Sequence, residues 1–163
     1  MPSLKWKIAQ QLEIRWWKSY LSKKNLTEYL DWKKTYWKNF LKHCDGVFDI
    51  NTIQQALDAG CGPAGINMVL PGSVTAIDPL YSKYLEIEHF NPSAFPNVSY
   101  VKSTIEDYSS SNQFDLVCCL NVINHVKYIS ESVENLFHLS KDGGWLLFSI
   151  DAHNYTLLKH NKV

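Results

Sequence analysis

Nine residues, Leu57 to Gly65 with the sequence LDAGCGPAG, carry the clearest chemical pattern in the chain. Gly60 to Gly65 fits the dinucleotide pattern G-x-G-x-x-G, in which bare backbone lets a pyrophosphate approach a helix N-terminus. Asp58 fits that use poorly, because a carboxylate beside a pyrophosphate is unfavourable, whereas beside a sulfonium or an ammonium group it is favourable. The stretch therefore leaves two chemistries open, hydride transfer and methyl transfer, and Asp58 favours the second.

A second carboxylate, Asp78, follows the apolar run VTAI, eighteen residues after Gly60. At the end of a strand it can accept hydrogen bonds from both hydroxyls of a ribose, a role common to nicotinamide cofactors and S-adenosylmethionine. The alternative is that Asp78-Pro79 only begins a turn.

Four side chains are candidates for taking a proton from a substrate: His125, Asp151, His153 and Tyr20. The ring of His125, in NVINHV, can instead cap a helix or bond to backbone. Asp151 and His153 directly follow the last apolar run, where a solvated turn explains them equally well.

The elements that position these residues are short apolar runs alternating with helical or turn segments, a pattern typical of a parallel sheet covered on both faces. Because ligands of such sheets bind outside the carboxyl ends of the strands, the glycine loop, Asp78, Ser103–Asp107 and Leu120–His125 are expected on one rim. The predicted strands are 53–59, 74–77, 98–101, 114–120 and 145–150; the predicted helices are 64–70, 81–88 and about 130–140, the last capped by Ser130 and ending near Lys141 and Gly143.

The first 43 residues differ from the rest, with ten of the sixteen Lys/Arg, three of the sixteen Asp/Glu and five of the six tryptophans. Apolar spacing predicts two helices, one over roughly 4–21 and one capped by Asn25, whose apolar stripe only Lys33 interrupts. We expect this extension, residues 1–46, to pack on the α/β domain, residues 47–163, as part of a substrate lid. The interleaved cations and aromatic rings can also contact an anionic substrate or RNA, but nucleic acid is disfavoured because the lysines lie mostly opposite the apolar stripe.

Four segments, ALDAGCGPAG, VTAIDPL, FDLVCCLNVINHV and KDGGWLLFSID, resemble in order and separation the motifs of class I (Rossmann-like) S-adenosylmethionine-dependent methyltransferases. The resemblance covers about residues 53–151 and implies a mainly parallel Rossmann-like sheet with helices on both faces and S-adenosylmethionine as cofactor. It also implies the cofactor contacts. Asp58, Gly60, Cys61 and Gly62 would line its methionine and ribose side, Asp78 would hold the ribose, Pro79 or Leu80 would pack on the adenine, Thr104 and Ile105 would lie at the adenine edge, and Leu120 and Asn121 would lie under the methionine.

Two positions depart from the family pattern. Its third glycine falls at Ala64, with Gly65 one residue late. The acid that often receives the adenine amino group falls at Thr104, followed by Glu106 and Asp107, and these two acids can instead cap a following helix.

The resemblance implies methyl transfer to a small-molecule acceptor. Only thirteen residues follow the fifth strand, too few for the crossover helix and antiparallel hairpin that complete the family's sheet. This leaves an apolar edge strand, which predicts pairing with a second copy or a partner chain, or a truncated product. The alternative function is thus a non-catalytic S-adenosylmethionine-binding subunit, or a truncated remnant, that acts through this edge.

Composition restricts the setting. No run approaches the roughly 20 apolar residues of a membrane span, and the polar N-terminus does not resemble a secretory signal, so no membrane partner is expected. The four cysteines lack the spacing of a zinc site, so no metal is expected, and they favour a reduced, cytoplasmic setting.

Overall fold

The computed structural model describes residues 4–150. Five strands form one sheet in the order β3-β2-β1-β4-β5, and every neighbouring pair is parallel. This order and the helices around the sheet confirm the predicted Rossmann-like α/β fold. The strands are β1 (Gln55–Ala59), β2 (Ser73–Ile77), β3 (Val98–Val101), β4 (Phe114–Leu120) and β5 (Ser140–Ser149); the helices are α1 (Leu4–Leu21), α2 (Leu26–Lys42), α3 (Tyr81–Tyr84) and α4 (Ile129–Leu139).

Alternation along the central strands divides the core between the two faces of the sheet. Leu57 of β1 packs with Leu136 and Leu139 of α4 on one face. Ala56, its neighbour, packs with Trp37 of α2 on the other face. The predicted N-terminal helices therefore share a hydrophobic core with the sheet.

The helix α2 covers a face that the β1–β2 connection leaves open. The helix predicted over 64–70 is only a single 3₁₀ turn, Ile66–Met68, so that prediction is wrong in type and length. The backbone of this segment does not continue as a helix, because the N–H of Asn67 donates to the Asp58 carboxylate and Gly65 is extended. The Trp37 indole N–H donates to the Ala64 carbonyl at 2.9 Å, which fixes α2 against the loop.

Other boundaries differ where contacts distant in sequence decide them. Strand β1 begins at Gln55 rather than Ile53, after a 3₁₀ turn at Ile50–Thr52. Helix α3 ends at Tyr84 rather than residue 88. Ser130 does not cap α4, which begins after Tyr128.

Lys141 and Gly143 lie inside β5 rather than at the end of α4. The β4–β5 register is irregular between Phe114 and Leu116, and Gly143 with φ +76° lies in the extra length that this irregularity accommodates.

Candidate functional site

A cavity of about 790 Å³ lies where the predicted rim was expected, at the carboxyl ends of the strands, with α1 and α2 as its opposite wall. This volume falls within the roughly 300–1,000 Å³ of small-molecule sites. All ten residues expected to contact a cofactor line this one cavity: Asp58, Gly60, Cys61, Gly62, Asp78, Pro79, Thr104, Ile105, Leu120 and Asn121. Leu80, the alternative to Pro79, is buried and does not line this cavity.

The glycine loop brings backbone directly to the cavity. Gly60 and Gly62 have φ of +80° and +57°, a region that favours glycine, and their turn carries the chain away from the end of β1. The Ile77 carbonyl accepts the N–H groups of Gly60 and Cys61 at 2.8 and 3.1 Å, tying this turn to β2.

Gly65 serves a different need, because its backbone is extended. A Cβ at this position would overlap the Cys61 carbonyl oxygen and the Asp58 carboxylate. Gly65 therefore permits a close approach of chain segments rather than an unusual torsion.

Asp58 is buried and accepts two hydrogen bonds from Asn67, at 3.0 Å from the backbone N–H and 2.7 Å from the side-chain amide. Burial raises the pKa of Asp58 to about 6, against the lowering effect of these two bonds. The bonds rest on one carboxylate oxygen, Oδ2, so the other oxygen accepts nothing from Asn67.

Asp78 is also buried, and both of its oxygens organise backbone. Oδ2 accepts the N–H of Gly62 at 3.0 Å, and Oδ1 accepts the N–H of Leu80 at 2.7 Å. Burial raises the pKa of Asp78 to about 6 as well, and the nearby charge of Glu13 on α1 contributes in the same direction. Each oxygen retains a further acceptor site, because an ionised carboxylate offers about four.

The segment after β3 bears out the alternative that an acid caps a following helix, but only for Glu106, and the helix is α4. Glu106 and Asp107 do not begin a helix; residues 105–107 form a turn. Instead, Oε1 of Glu106 accepts the N–H groups of Lys127 and Tyr128 at 2.7 and 3.1 Å, and so caps the start of α4. The Thr104 hydroxyl donates to Asp107 at 2.8 Å.

The second oxygen of Glu106, Oε2, is buried without a hydrogen-bond partner among residues 4–150, and Glu106 lines the cavity. Burial raises the pKa of Glu106, but hydrogen bonds from backbone N–H groups outweigh burial and hold the pKa below its usual value. Glu106 thus presents a charged oxygen that lacks a donor.

At the end of β4, Asn121 has φ +58°, a left-handed conformation that is uncommon outside glycine and often marks functional sites. Its N–H donates to the Ser149 carbonyl at 2.9 Å. His125 follows on a 3₁₀ turn, exposed at the cavity, and its ring makes no hydrogen bond within the described part of the chain. The alternative that this ring caps a helix is not what the structure has.

Among the proton-transfer candidates, Tyr20 lies outside the lining of the cavity. Its ring stacks on Trp16 at 5.0 Å and meets Tyr29 edge-on at 6.0 Å, which joins α1 to α2. Asp151 and His153 fall outside the described residues.

The wall formed by α1 and α2 supplies residues that the motif argument did not place in the site. Lys33 projects into the cavity with its Nζ 4.9 Å from the ring centre of Trp37 and 5.0 Å from that of Tyr36. Burial lowers the pKa of Lys33, and no carboxylate among residues 4–150 forms an ion pair with it. Glu13 faces the same space, and burial raises its pKa.

Sequence signals for these two residues exist. Lys33 is the one break in the apolar stripe of α2, and Glu13 is the one acid of α1. The other lining residues on this wall are mostly aromatic: Trp6, Trp16, Trp17, Tyr36 and Trp37.

Comparison with known proteins agrees with this architecture. Residues 57–148 match the family model described as "Methyltransferase domain". Among curated proteins, a ubiquinone biosynthesis O-methyltransferase of Rickettsia bellii is 38% identical over 110 residues, 66% of this chain and 44% of the relative. The enzyme of the same name from Serratia proteamaculans is 31% identical over 121 residues, 70% of this chain and 48% of the relative. The chain thus spans less than half the length of these relatives.

Solved structures share the fold at low identity. Coclaurine N-methyltransferase bound to N-methylheliamine and S-adenosylhomocysteine superposes with a TM-score of 0.55 at 17% identity, covering 70% of this chain and 34% of that one. The amino pentose methyltransferase CalS10 from Micromonospora echinaspora, bound to S-adenosylmethionine, gives 0.54 at 17% identity, covering 70% and 49%. The family match spans more than half of the chain and coincides with the parallel sheet that lines the cavity, and the chain therefore belongs to the class I S-adenosylmethionine-dependent methyltransferases.

Proposed function

We propose that this chain binds S-adenosylmethionine in the cavity and transfers its methyl group to an oxygen of a small-molecule acceptor. The observation that carries the proposal is the convergence on one cavity of all ten residues expected from the family motifs. The curated relatives support oxygen as the acceptor atom, since those proteins are named O-methyltransferases of ubiquinone biosynthesis.

The charges around the cavity suit this cofactor. Asp58, Asp78 and Glu13 place three carboxylates around the space, which favours a sulfonium and an ammonium group. Lys33 supplies the opposite charge, and a methionine carboxylate would give it the anionic partner that residues 4–150 do not. Asp78 keeps acceptor sites for ribose hydroxyls beyond its two backbone bonds.

Glu106, rather than Thr104, is the better acceptor for the adenine amino group. Its Oε2 is a buried carboxylate oxygen without a donor, and such an atom costs about 1–3 kcal/mol until a donor arrives. The Thr104 hydroxyl already donates to Asp107 and accepts its N–H at 3.3 Å.

The chemical step needs alignment and one proton acceptor. The acceptor oxygen bonds to the methyl carbon as the carbon–sulfur bond breaks and its electron pair returns to sulfur. The protein holds the partners in line and excludes water. His125 is the candidate to receive the hydroxyl proton, because its ring lies at the cavity without a hydrogen bond from residues 4–150 and imidazole is the commonest general base.

The test measures binding and transfer separately. Isothermal titration calorimetry with S-adenosylmethionine, S-adenosylhomocysteine and NAD should give binding for the first two only. Transfer of labelled methyl should then appear in a small-molecule extract, and His125→Gln should lower it at unchanged cofactor affinity. Binding of NAD alone would refute the proposal.

The alternative function is a non-catalytic, cofactor-binding subunit that pairs through β5 with a second copy. It is favoured by the position of β5 at the edge of the sheet, where Phe148 and Ile150 are about half exposed and no described strand pairs with its outer side. Cofactor binding without transfer, together with a dimer by light scattering, would favour this alternative; a monomer at all concentrations would exclude it.

A further inference from the structure

The outer face of α1 is an exposed apolar stripe. Leu4, Ile8, Leu12 and Trp16 recur every four residues and are exposed by 74%, 48%, 58% and 55% of their surface. At this spacing the side chains shift only about 40° per step and stay on one face. Contiguous exposed apolar side chains on a protein surface mark a site of interaction.

The opposite face of α1 is already used, so the stripe does not face the core. Ile14, Trp17 and Leu21 pack with the α3 region, and the Trp6 indole N–H donates to the His125 carbonyl at 3.1 Å. The helix is thus apolar on two sides, one toward the protein and one toward the surroundings.

Charge identifies what the outer face suits. Lys5 and Arg15 lie among the apolar residues of the stripe, and Lys7 and Lys18 flank it. The single acid of α1, Glu13, points to the cavity, so the exposed face has no carboxylate of its own. Glu86, from the turn after α3, pairs with Lys18 at the flank. An exposed apolar stripe with cations within and beside it, and without a carboxylate of its own, suits the surface of an anionic bilayer.

The stripe continues into the cavity. Leu12 and Trp16 are both half exposed and part of the cavity lining, and Tyr36 of α2, also exposed, lines it from the other side. Trp32 stands beside Tyr36 with ring centres 6.0 Å apart. Tryptophan and tyrosine favour the lipid–water boundary, so this aromatic rim extends the same surface.

We propose that the outer face of α1 docks on an anionic lipid surface, which places the mouth of the methyl-transfer cavity at the lipid–water boundary. Docking itself needs only this face; the consequence for acceptor access rests on the proposed function. No helix among residues 4–150 is long and apolar enough to cross a membrane. The expectation of no membrane partner rests on the absence of a membrane-spanning run in the sequence. A helix that lies in the lipid–water interface needs no such run.

The experiment is co-sedimentation of the full chain with vesicles of phosphatidylcholine, alone or mixed equally with phosphatidylglycerol. We expect binding to the mixed vesicles. Binding should be much weaker at about 1 M salt, because salt at this concentration screens the attraction between charges more than about 3 Å apart. Leu4→Gln with Ile8→Gln should weaken binding at least ten-fold, and Lys5→Gln with Arg15→Gln should weaken it about five-fold per charge. Phe137→Gln is the matched control, because Phe137 is 63% exposed on α4, which packs on the other face of the sheet.

Absence of binding to both vesicle types would overturn the proposal, as would equal losses in Phe137→Gln and in the α1 variants. A concentration-dependent dimer that Leu4→Gln with Ile8→Gln dissociates, without vesicle binding, would overturn it in favour of a second copy of the chain. Calorimetry with S-adenosylmethionine on the same variants should be unchanged. If the unsubstituted chain does not bind S-adenosylmethionine, the proposed function is refuted, but the vesicle result still tests docking.

Discussion

Alanine at each glycine of the LDAGCGPAG loop tests the geometry of the site, because the three positions are constrained differently. Gly62→Ala meets only the backbone constraint, since the nearest atom to a new Cβ is Trp17 Cζ2 at 3.8 Å. Gly65→Ala meets only the steric one, since its φ is −77°. Gly60→Ala meets both, because φ is +80° and a Cβ would overlap Val122.

The expected losses of unfolding free energy follow from these constraints. A left-handed alanine costs about 1–2 kcal/mol, and the more restricted unfolded chain returns about 0.4–1 kcal/mol. Gly62→Ala should therefore lose about 1 kcal/mol. The methyl group of Gly65→Ala must displace the Cys61 carbonyl or separate the Asp58 carboxylate from Asn67. Overpacking, together with weakening of the buried Asp58–Asn67 hydrogen bonds, costs about 2–4 kcal/mol. Gly60→Ala should also lose about 2–4 kcal/mol.

Urea denaturation followed by circular dichroism measures the three losses, and calorimetry with S-adenosylmethionine measures the effect on the cavity. A double-mutant cycle of Gly65→Ala with Asn67→Ala adds a specific test. If the new methyl group acts through the Asp58–Asn67 pair, the double variant should lose less unfolding free energy than the sum of the two single losses. The reasoning is refuted if Gly65→Ala is as mild as Gly62→Ala, or if the two losses in the cycle simply add.

Three further outcomes are expected. The folded state binds protons more tightly at Asp58 and Asp78, each with pKa raised by burial from 3.8 to about 6, so the ligand-free protein should gain stability as pH falls from 7 to 4. The gain between these two pH values is about 2 kcal/mol per group, and urea denaturation of Asp78→Asn at both pH values should show about half the total. Trp37→Phe removes the donor to the buried Ala64 carbonyl and should lower stability by about 1–3 kcal/mol; an unchanged melting temperature contradicts that contact. Lys33→Met should weaken S-adenosylmethionine and S-adenosylhomocysteine alike by at least ten-fold in calorimetry, since both carry the carboxylate, whereas the exposed control Lys38→Met should not.

Strands β3 and β4 and helix α2 are predictable because their signals are local. The apolar runs of β3 and β4 are bounded by Pro96 and by polar turns, and both strands have the predicted limits. Asn25 caps α2 as expected, its side chain accepting the Glu28 N–H at 3.1 Å, because a capping box depends only on residues three positions apart.

The connections are less predictable because distant residues decide their conformation. The 64–70 segment has helix-compatible composition, but Asp58 takes the Asn67 N–H and an extended Gly65 lets the chain pass close to the Cys61 carbonyl. The start of α4 is capped by Glu106, which is 21 residues before Lys127, rather than by the nearby Ser130. The Asp58–Asn67 contact has no signature in the local sequence, and for Glu106 the sequence indicates an acid that can cap a helix but not the N–H groups that it accepts.

The N-terminal wall illustrates a third limit, because basic residues have opposite roles on its two helices. Lys5 and Arg15 are exposed, whereas Lys33 is drawn into the cavity only when α2 packs on the sheet beside the glycine loop. Counting charges in residues 1–43 yields a basic extension but not which cation is enclosed. The interruption of the apolar stripe at Lys33 is the local signal that distinguishes it.

The buried carboxylates connect the stability of the ligand-free fold to the proposed function. At neutral pH Asp58 and Asp78 are ionised at a cost of about 3 kcal/mol each relative to water, since burial is the largest influence on both. This cost already includes four backbone or side-chain donors, from Gly62, Leu80 and Asn67, which lower it below that of burial alone and position both groups. A ligand with a sulfonium and an ammonium group would offset more, because it brings positive charge into the space that burial has deprived of water. The arrangement that destabilises the empty site is therefore the one that would favour S-adenosylmethionine over its uncharged-sulfur product, and release of product would follow from the loss of that charge.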